Sequence, residues 1–272
     1  MAATRPIFTR DSITWPCRWG PRPGRCTASA ATRARTFWPT AFRNGVTTGA
    51  NYSPLYPNGY LPELPGRSDD YSAVVGLRRA LTGGWNLDFS TGYGHNFLDL
   101  YANKTANASL GATSSTDFYV GRSAFGQSTS EVNVSRNYSG VLGTKSLNVA
   151  FGSQFRADQF VLKQGSAESF LAGPLATSAG KAPGSNGRPG IAPADETNST
   201  RTNVGVYLDL ESDLTERLLL TAAGRYENYS DFGSNVSGKI CRALQNPRMA
   251  FRCAAPSTGA SGPRRSSKLS TA

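Results

Sequence analysis

Apolar and polar residues alternate with period two along much of the chain, the pattern of amphipathic β-strands. In Trp85–Tyr93 one face carries Trp85, Leu87, Phe89, Thr91 and Tyr93, and the other Asn86, Asp88, Ser90 and Gly92. Leu147–Arg156 sets Leu147, Val149, Phe151, Ser153 and Phe155 against Asn148, Ala150, Gly152, Gln154 and Arg156. Asn203–Glu211 and Leu218–Glu227 repeat the arrangement, and weaker cases run over Tyr71–Leu81 and Glu131–Tyr138. These runs are about nine to eleven residues long, longer than the five or six usual in soluble proteins and long enough to cross a bilayer at a tilt. Thr82–Gly84 and Ser212–Glu216 read as short turns, whereas 95–130 and 157–200 read as long polar loops. Short turns at one rim and long loops at the other predict an all-β antiparallel meander, a partial transmembrane β-barrel with its apolar face outward in outer-membrane lipid. A soluble β-sandwich that binds carbohydrate or another surface ligand is the alternative, because it too solvates one face of each strand.

Charge changes the picture only at the ends. The 272 residues carry a formal net charge of +11, which by itself suggests nucleic acid or an acidic surface as partner. Residues 1–43 hold eight Arg against Asp11, residues 239–272 hold seven Lys and Arg and no acid, and the stretch between them is slightly acidic. The ends are therefore expected to be irregular or disordered, dividing the chain into a basic segment 1–43, a β-rich region 44–239 and a basic tail 240–272. Pro-punctuated Arg without patterned aromatics gives no stacking platform, so no nucleic-acid partner is expected. All four cysteines lie in the ends, show no CxxC pair and predict neither a zinc site nor a disulfide framework. The start, MAATRPIFTRDSITW, lacks the apolar run of a secretory signal.

The run TNVGVYLDLESDLTERLLLTAAGRYENYSDFGSNVSGK at Thr202–Lys239 resembles the barrel of a TonB-dependent outer-membrane receptor. The similarity extends upstream through PGIAPADE (189–196), SLNVAFGSQFRADQF (146–160) and DDYSAVVGLRR with GGWNLDFSTGYGHN (69–96), covering roughly 51–239. The resemblance implies part of a barrel of about 22 strands whose lumen is closed by a plug. It also implies energy-dependent uptake of a siderophore or similar ligand, driven through TonB, and residence in the outer membrane. No region of the chain resembles the plug or a TonB-contacting segment, so a fragment unable to transport by itself is expected.

The ends then acquire another reading. Rebuilt one base out of register, Gly259–Ala272 can give a string close to the GFRAPSL signature that follows this strand in the family. Arg252–Pro256 can give LRGA, and Arg25–Thr32 can give LYGFGSY, resembling a barrel strand. Out-of-frame translation of roughly 1–40 and 240–272 is the expectation that follows.

Candidate chemistry is sparse. Arg156, Arg225 and Glu227 fall on the polar sides of their strands, where lumen-facing charges can line a substrate path. His95, the single histidine, stands where the pattern has a strand entering a loop, and a solvated residue is its default role. Asp69–Asp70 and the Asp209, Glu211 and Asp213 series have no accompanying base or metal-ligand spacing, so neither catalysis nor a cofactor is expected. Tyr229–Gly233 reads as a tight strand-end turn, with Gly233 supplying a permissive backbone.

Overall fold

A computed structural model of the chain describes residues 7–17, 24–141, 143–215, 218–244 and 250–254. Among these residues ten strands run in chain order through one antiparallel sheet: β1 (Ile7–Cys17), β2 (Gly24–Phe37), β3 (Gly66–Ala80), β4 (Trp85–Ala102), β5 (Phe118–Ser139), β6 (Ser146–Lys163), β7 (Thr197–Thr215), β8 (Leu218–Tyr229), β9 (Gly233–Leu244) and β10 (Ala250–Ala254). Each pairs with its sequence neighbours, so the sheet is a pure meander. A sandwich needs two sheets packed face to face, and among the described residues there is one.

Register sets the two faces. Phe89 stands opposite Leu77 on β3 and Val132 on β5, and the same row continues through Ser153 on β6, Val206 on β7 and Tyr226 on β8. These side chains point to one side, where Phe89, Val132, Phe151, Phe155, Val204, Val206 and Leu208 are exposed. The opposite side carries Asn, Gln, Ser and charged residues and is concave. A cavity of about 1300 Å³ on that side is lined by Thr14 and Arg25 of the first two strands, Arg78 and Asp88 of the next two, and Asn133 and Tyr207 farther round. One hollow touched by β1 and β7 together means that the sheet curls, in the sense a barrel requires.

The alternating strands of the sequence reading are all present, but several run farther than their apolar alternation. β4 continues to Ala102 and β5 begins at Phe118, so the expected loop 95–130 shrinks to 103–117. Likewise β6 continues to Lys163 and β7 starts at Thr197, leaving 164–196. Beyond the apolar band, neither face needs hydrophobic residues, so backbone pairing continues where the period-two signal has faded. A third long connection, 38–65, joins β2 to β3 at the same rim. At the other rim Thr82–Gly84 turns as expected, with Gly83 and Gly84 both at positive φ.

The ends depart from the irregular structure expected of them. Within 1–43, residues 7–17 and 24–37 are strands, and β9 carries the sheet past Lys239 to Leu244, with β10 following. β2 is composed largely of Ala, Ser, Thr and Arg, small or long-stemmed side chains that an edge already presented by β3 can template. The remaining parts of both ends lie outside the described residues. A disulfide is present where the sequence predicts no disulfide framework. Cys17 and Cys26 are bonded across the β1–β2 hairpin, with Cα atoms 5.8 Å apart, because the register places both on one face two rows apart.

The long connections pack together instead of extending separately. Most of the fully buried residues among those described lie here: Asn51, Thr105, Ala106, Asn107, Ala108, Ser109, Ser169 and Ser185. Asn107 is the hub. Its Nδ2 donates to the carbonyls of Glu168 and Leu171, both at 2.8 Å, and its Oδ1 accepts from Ser109 Oγ at 2.6 Å. Lys181 Nζ donates to the Asn51 carbonyl at 2.8 Å, and Tyr60 Oη donates to that of Ala50 at 2.7 Å. Polar side chains here satisfy loop backbone that would otherwise be buried without partners. The three loops form one cap at the rim.

Candidate functional site

The concave face of β5–β8 carries three cross-strand polar groups, stepped along the strands. Nearest the cap, the register aligns Gln127, Asp158 and Arg201 on β5, β6 and β7. Asp158 is 7% exposed; it accepts from Gln127 Nε2 at 2.9 Å and from Arg201 Nη2 at 3.0 Å, and Arg156 Nε lies 3.4 Å away. Asp231, after β8, stands 4.0 Å from the other side of the Arg201 guanidinium.

The second group lies roughly 13 Å farther along the strands, four residues at about 3.3 Å each. Arg225 on β8 donates from Nε and Nη2 to Glu227 Oε1 at 3.0 and 2.9 Å. Its Nη2 also reaches past β7 to Gln154 Oε1 on β6, 2.7 Å away, and Gln154 Nε2 donates in turn to Glu131 on β5. Gly205 stands between them and leaves room for this reach across an intervening strand: a Cβ there would lie 3.1 Å from Arg225 Nη2. The third group repeats the device. Tyr207 Oη on β7 donates to Asn133 Oδ1 on β5 at 2.7 Å, crossing β6 at Gly152. Two glycine windows thus let hydrogen bonds skip a strand and brace the wall.

Of the residues singled out from sequence, Arg225 and Glu227 form an ion pair, while Arg156 belongs to the separate Asp158 group. All three are on the concave face. Asp158 was missed because it falls within the segment 157–200 read as a loop, and Arg201 because it lies between that segment and the strand read from Asn203. Extending the alternation Gln154, Arg156, Asp158 by one step would have found the first. His95 faces the opposite, convex side, its ring 5.1 Å from that of Tyr71 and 6.4 Å from that of Tyr93. The carboxylates Asp209, Glu211 and Asp213 follow one another along the concave side of β7, and Ser146 Oγ donates to Asp213 Oδ2 at 2.6 Å. Among the described residues no group of three His, Cys, Asp or Glu side chains converges to hold a metal.

The convex face shows two aromatic belts. Trp85 packs edge-on against Tyr138 and Phe151, with ring centroids 6.2 and 5.8 Å apart, and the Arg136 guanidinium lies 4.3 Å over the Tyr138 ring. Ten residues along β4, His95 sits between Tyr71 and Tyr93. Ten residues span about 33 Å, and a barrel tilt of about 40° reduces that to about 25 Å, the height of an outer-membrane apolar band. Among the described residues no helix is long and apolar enough to cross a membrane, a statement that does not bear on strands.

Residues 27–260 match the family described as TonB dependent receptor-like, beta-barrel. No curated protein matches the chain.

Proposed function

The chain belongs to the TonB-dependent receptor β-barrel family, and we propose that it forms part of the wall of an outer-membrane receptor taking up a siderophore or similar ligand. The reading is of a transporter, not an enzyme. The observation that carries it is the continuous division of faces over the long strands: an apolar convex band about 25 Å high, edged by aromatic belts, backs a polar concave wall. In this reading the band lies in outer-membrane lipid, the cap faces outward, and Arg156, Arg225 and Glu227 line the path of the ligand. TonB would couple the parent receptor to energy from the inner membrane.

The chain by itself is not expected to transport. Among the described residues β1 and β10 each have one neighbour, and an open edge in lipid leaves backbone groups unpaired. Closure to the family's barrel of about 22 strands needs further strands. Detergent dependence tests the reading. Overexpressed chain is expected in the membrane or insoluble fraction and dispersed only by detergent. A soluble, monomeric protein in plain buffer would overturn it in favour of a soluble ligand-binding protein.

A further inference from the structure

Two guanidiniums on the concave wall share one carboxylate. Arg201 donates to Asp158 Oδ2, Arg156 Nε approaches the same oxygen at 3.4 Å, and Gln127 takes Oδ1. Asp158 is held from three sides and buried, whereas the two arginine side chains remain 29% and 40% exposed on the concave face. A single carboxylate does not neutralise two guanidiniums. Asp231 is the other acid near Arg201, but it is 4.0 Å away and half exposed, so water screens it. Nε of Arg156 and of Arg201 is buried without a hydrogen-bond partner, so the part of each guanidinium that faces the lumen is its terminal Nη end. Arg225 differs: Glu227 and Gln154 occupy its Nε and Nη2, and Glu131 stands behind Gln154, so it serves as a brace.

A guanidinium offers its donors in a planar fork that matches two oxygens of one oxyanion, and two forks fixed by a common carboxylate are already oriented. We propose that Arg156 and Arg201, positioned by Asp158, form a subsite for an oxyanion, a carboxylate or phosphate group on the transported ligand. The proposal rests on the reading of this face as the wall of a receptor lumen and names the chemistry that part of the wall takes.

The test uses the full chain in non-ionic detergent micelles, titrated calorimetrically with citrate and, separately, with inorganic phosphate, against sodium chloride at matched ionic strength. Binding of citrate alone assigns a carboxylate, binding of phosphate alone assigns a phosphate, and binding of both leaves the shared oxyanion chemistry; binding of neither overturns the proposal. Arg156→Gln and Arg201→Gln are each expected to weaken binding at least tenfold, and Arg136→Gln, on the convex face, to leave it unchanged. Arg201→Lys keeps the charge and removes the fork, so it too is expected to weaken binding, and it serves if Arg201→Gln loses its β-sheet circular dichroism. Asp158→Asn separates orientation from charge. Loss of affinity supports positioning by Asp158, whereas a gain would mean that net charge alone attracts the anion and would overturn it. The receptor reading stands or falls on detergent dependence in the same preparation before any ligand is added, so the two failures are distinguishable.

Discussion

A Cβ at Gly205 would stand 3.1 Å from Arg225 Nη2 and 3.4 Å from its Cζ, whereas one at Gly224 would meet nothing within 4 Å. Both glycines sit in strands, where the missing side chain costs conformational entropy, but only the first leaves room for a bond that skips a strand. Gly205→Val is therefore expected to displace Arg225 from Gln154 and lower stability by about 1–3 kcal/mol, with Gly224→Ala close to neutral; unfolding of both variants by urea in detergent measures the difference. Neither window was legible in the sequence, because a glycine in a polar row has the same appearance whether or not a neighbour leans over it. In the cap, burial pushes the Tyr60 hydroxyl up from 10 to about 12. The folded form thus keeps its proton after the unfolded chain has lost it. The contribution is fully present below pH about 10 and is lost as pH rises toward about 12. Thermal unfolding midpoints across that interval are expected to fall more steeply for the wild type than for Tyr60→Phe.

Strands were legible wherever lipid-facing and lumen-facing demands differ. Trp85–Tyr93 and Leu147–Arg156 alternate because one side must be apolar and the other is wet. Their extensions, to Ala102 and Lys163, are strands by pairing alone, and residues such as Asn96, Asp158 and Gln159 read as loop because they are polar and turn-compatible. The cap was missed for a related reason. Its interior is built from Asn, Ser, Thr and Ala closing on loop backbone, so no hydrophobic period marks it. The convex band gives a sharp prediction at this scale. Val206 lies in the row of Phe89 and Val132, midway between the aromatic belts. Val206→Arg is expected to cost about 2–4 kcal/mol in a bilayer or micelle, and Asn148→Arg on the concave face much less; denaturant titration in the same micelles compares them.

For the molecule as a whole, the net charge of +11 is a sum over unlike parts: two basic ends around a slightly acidic sheet. The structure draws β1 and β2 into that sheet, and the family match, 27–260, enters both ends. Whether those residues were read in frame is a property of the gene. The nucleotide sequence is expected to hold the GFRAPSL-like and LRGA strings one base out of register beyond residue 250, and the LYGFGSY string near residue 25. If they are missing from the neighbouring frame, the shifted-frame reading fails. What the sequence by itself determined is the class of the protein, since period-two alternation over bilayer-length runs follows from a sheet having lipid on one side and water on the other. Tertiary structure alone decided which polar residues act together. Asp158 meets Gln127, 31 positions away, and Arg201, 43 positions away, through strand register. Register is set by pairing along whole strands and turns, and no local run of residues records it.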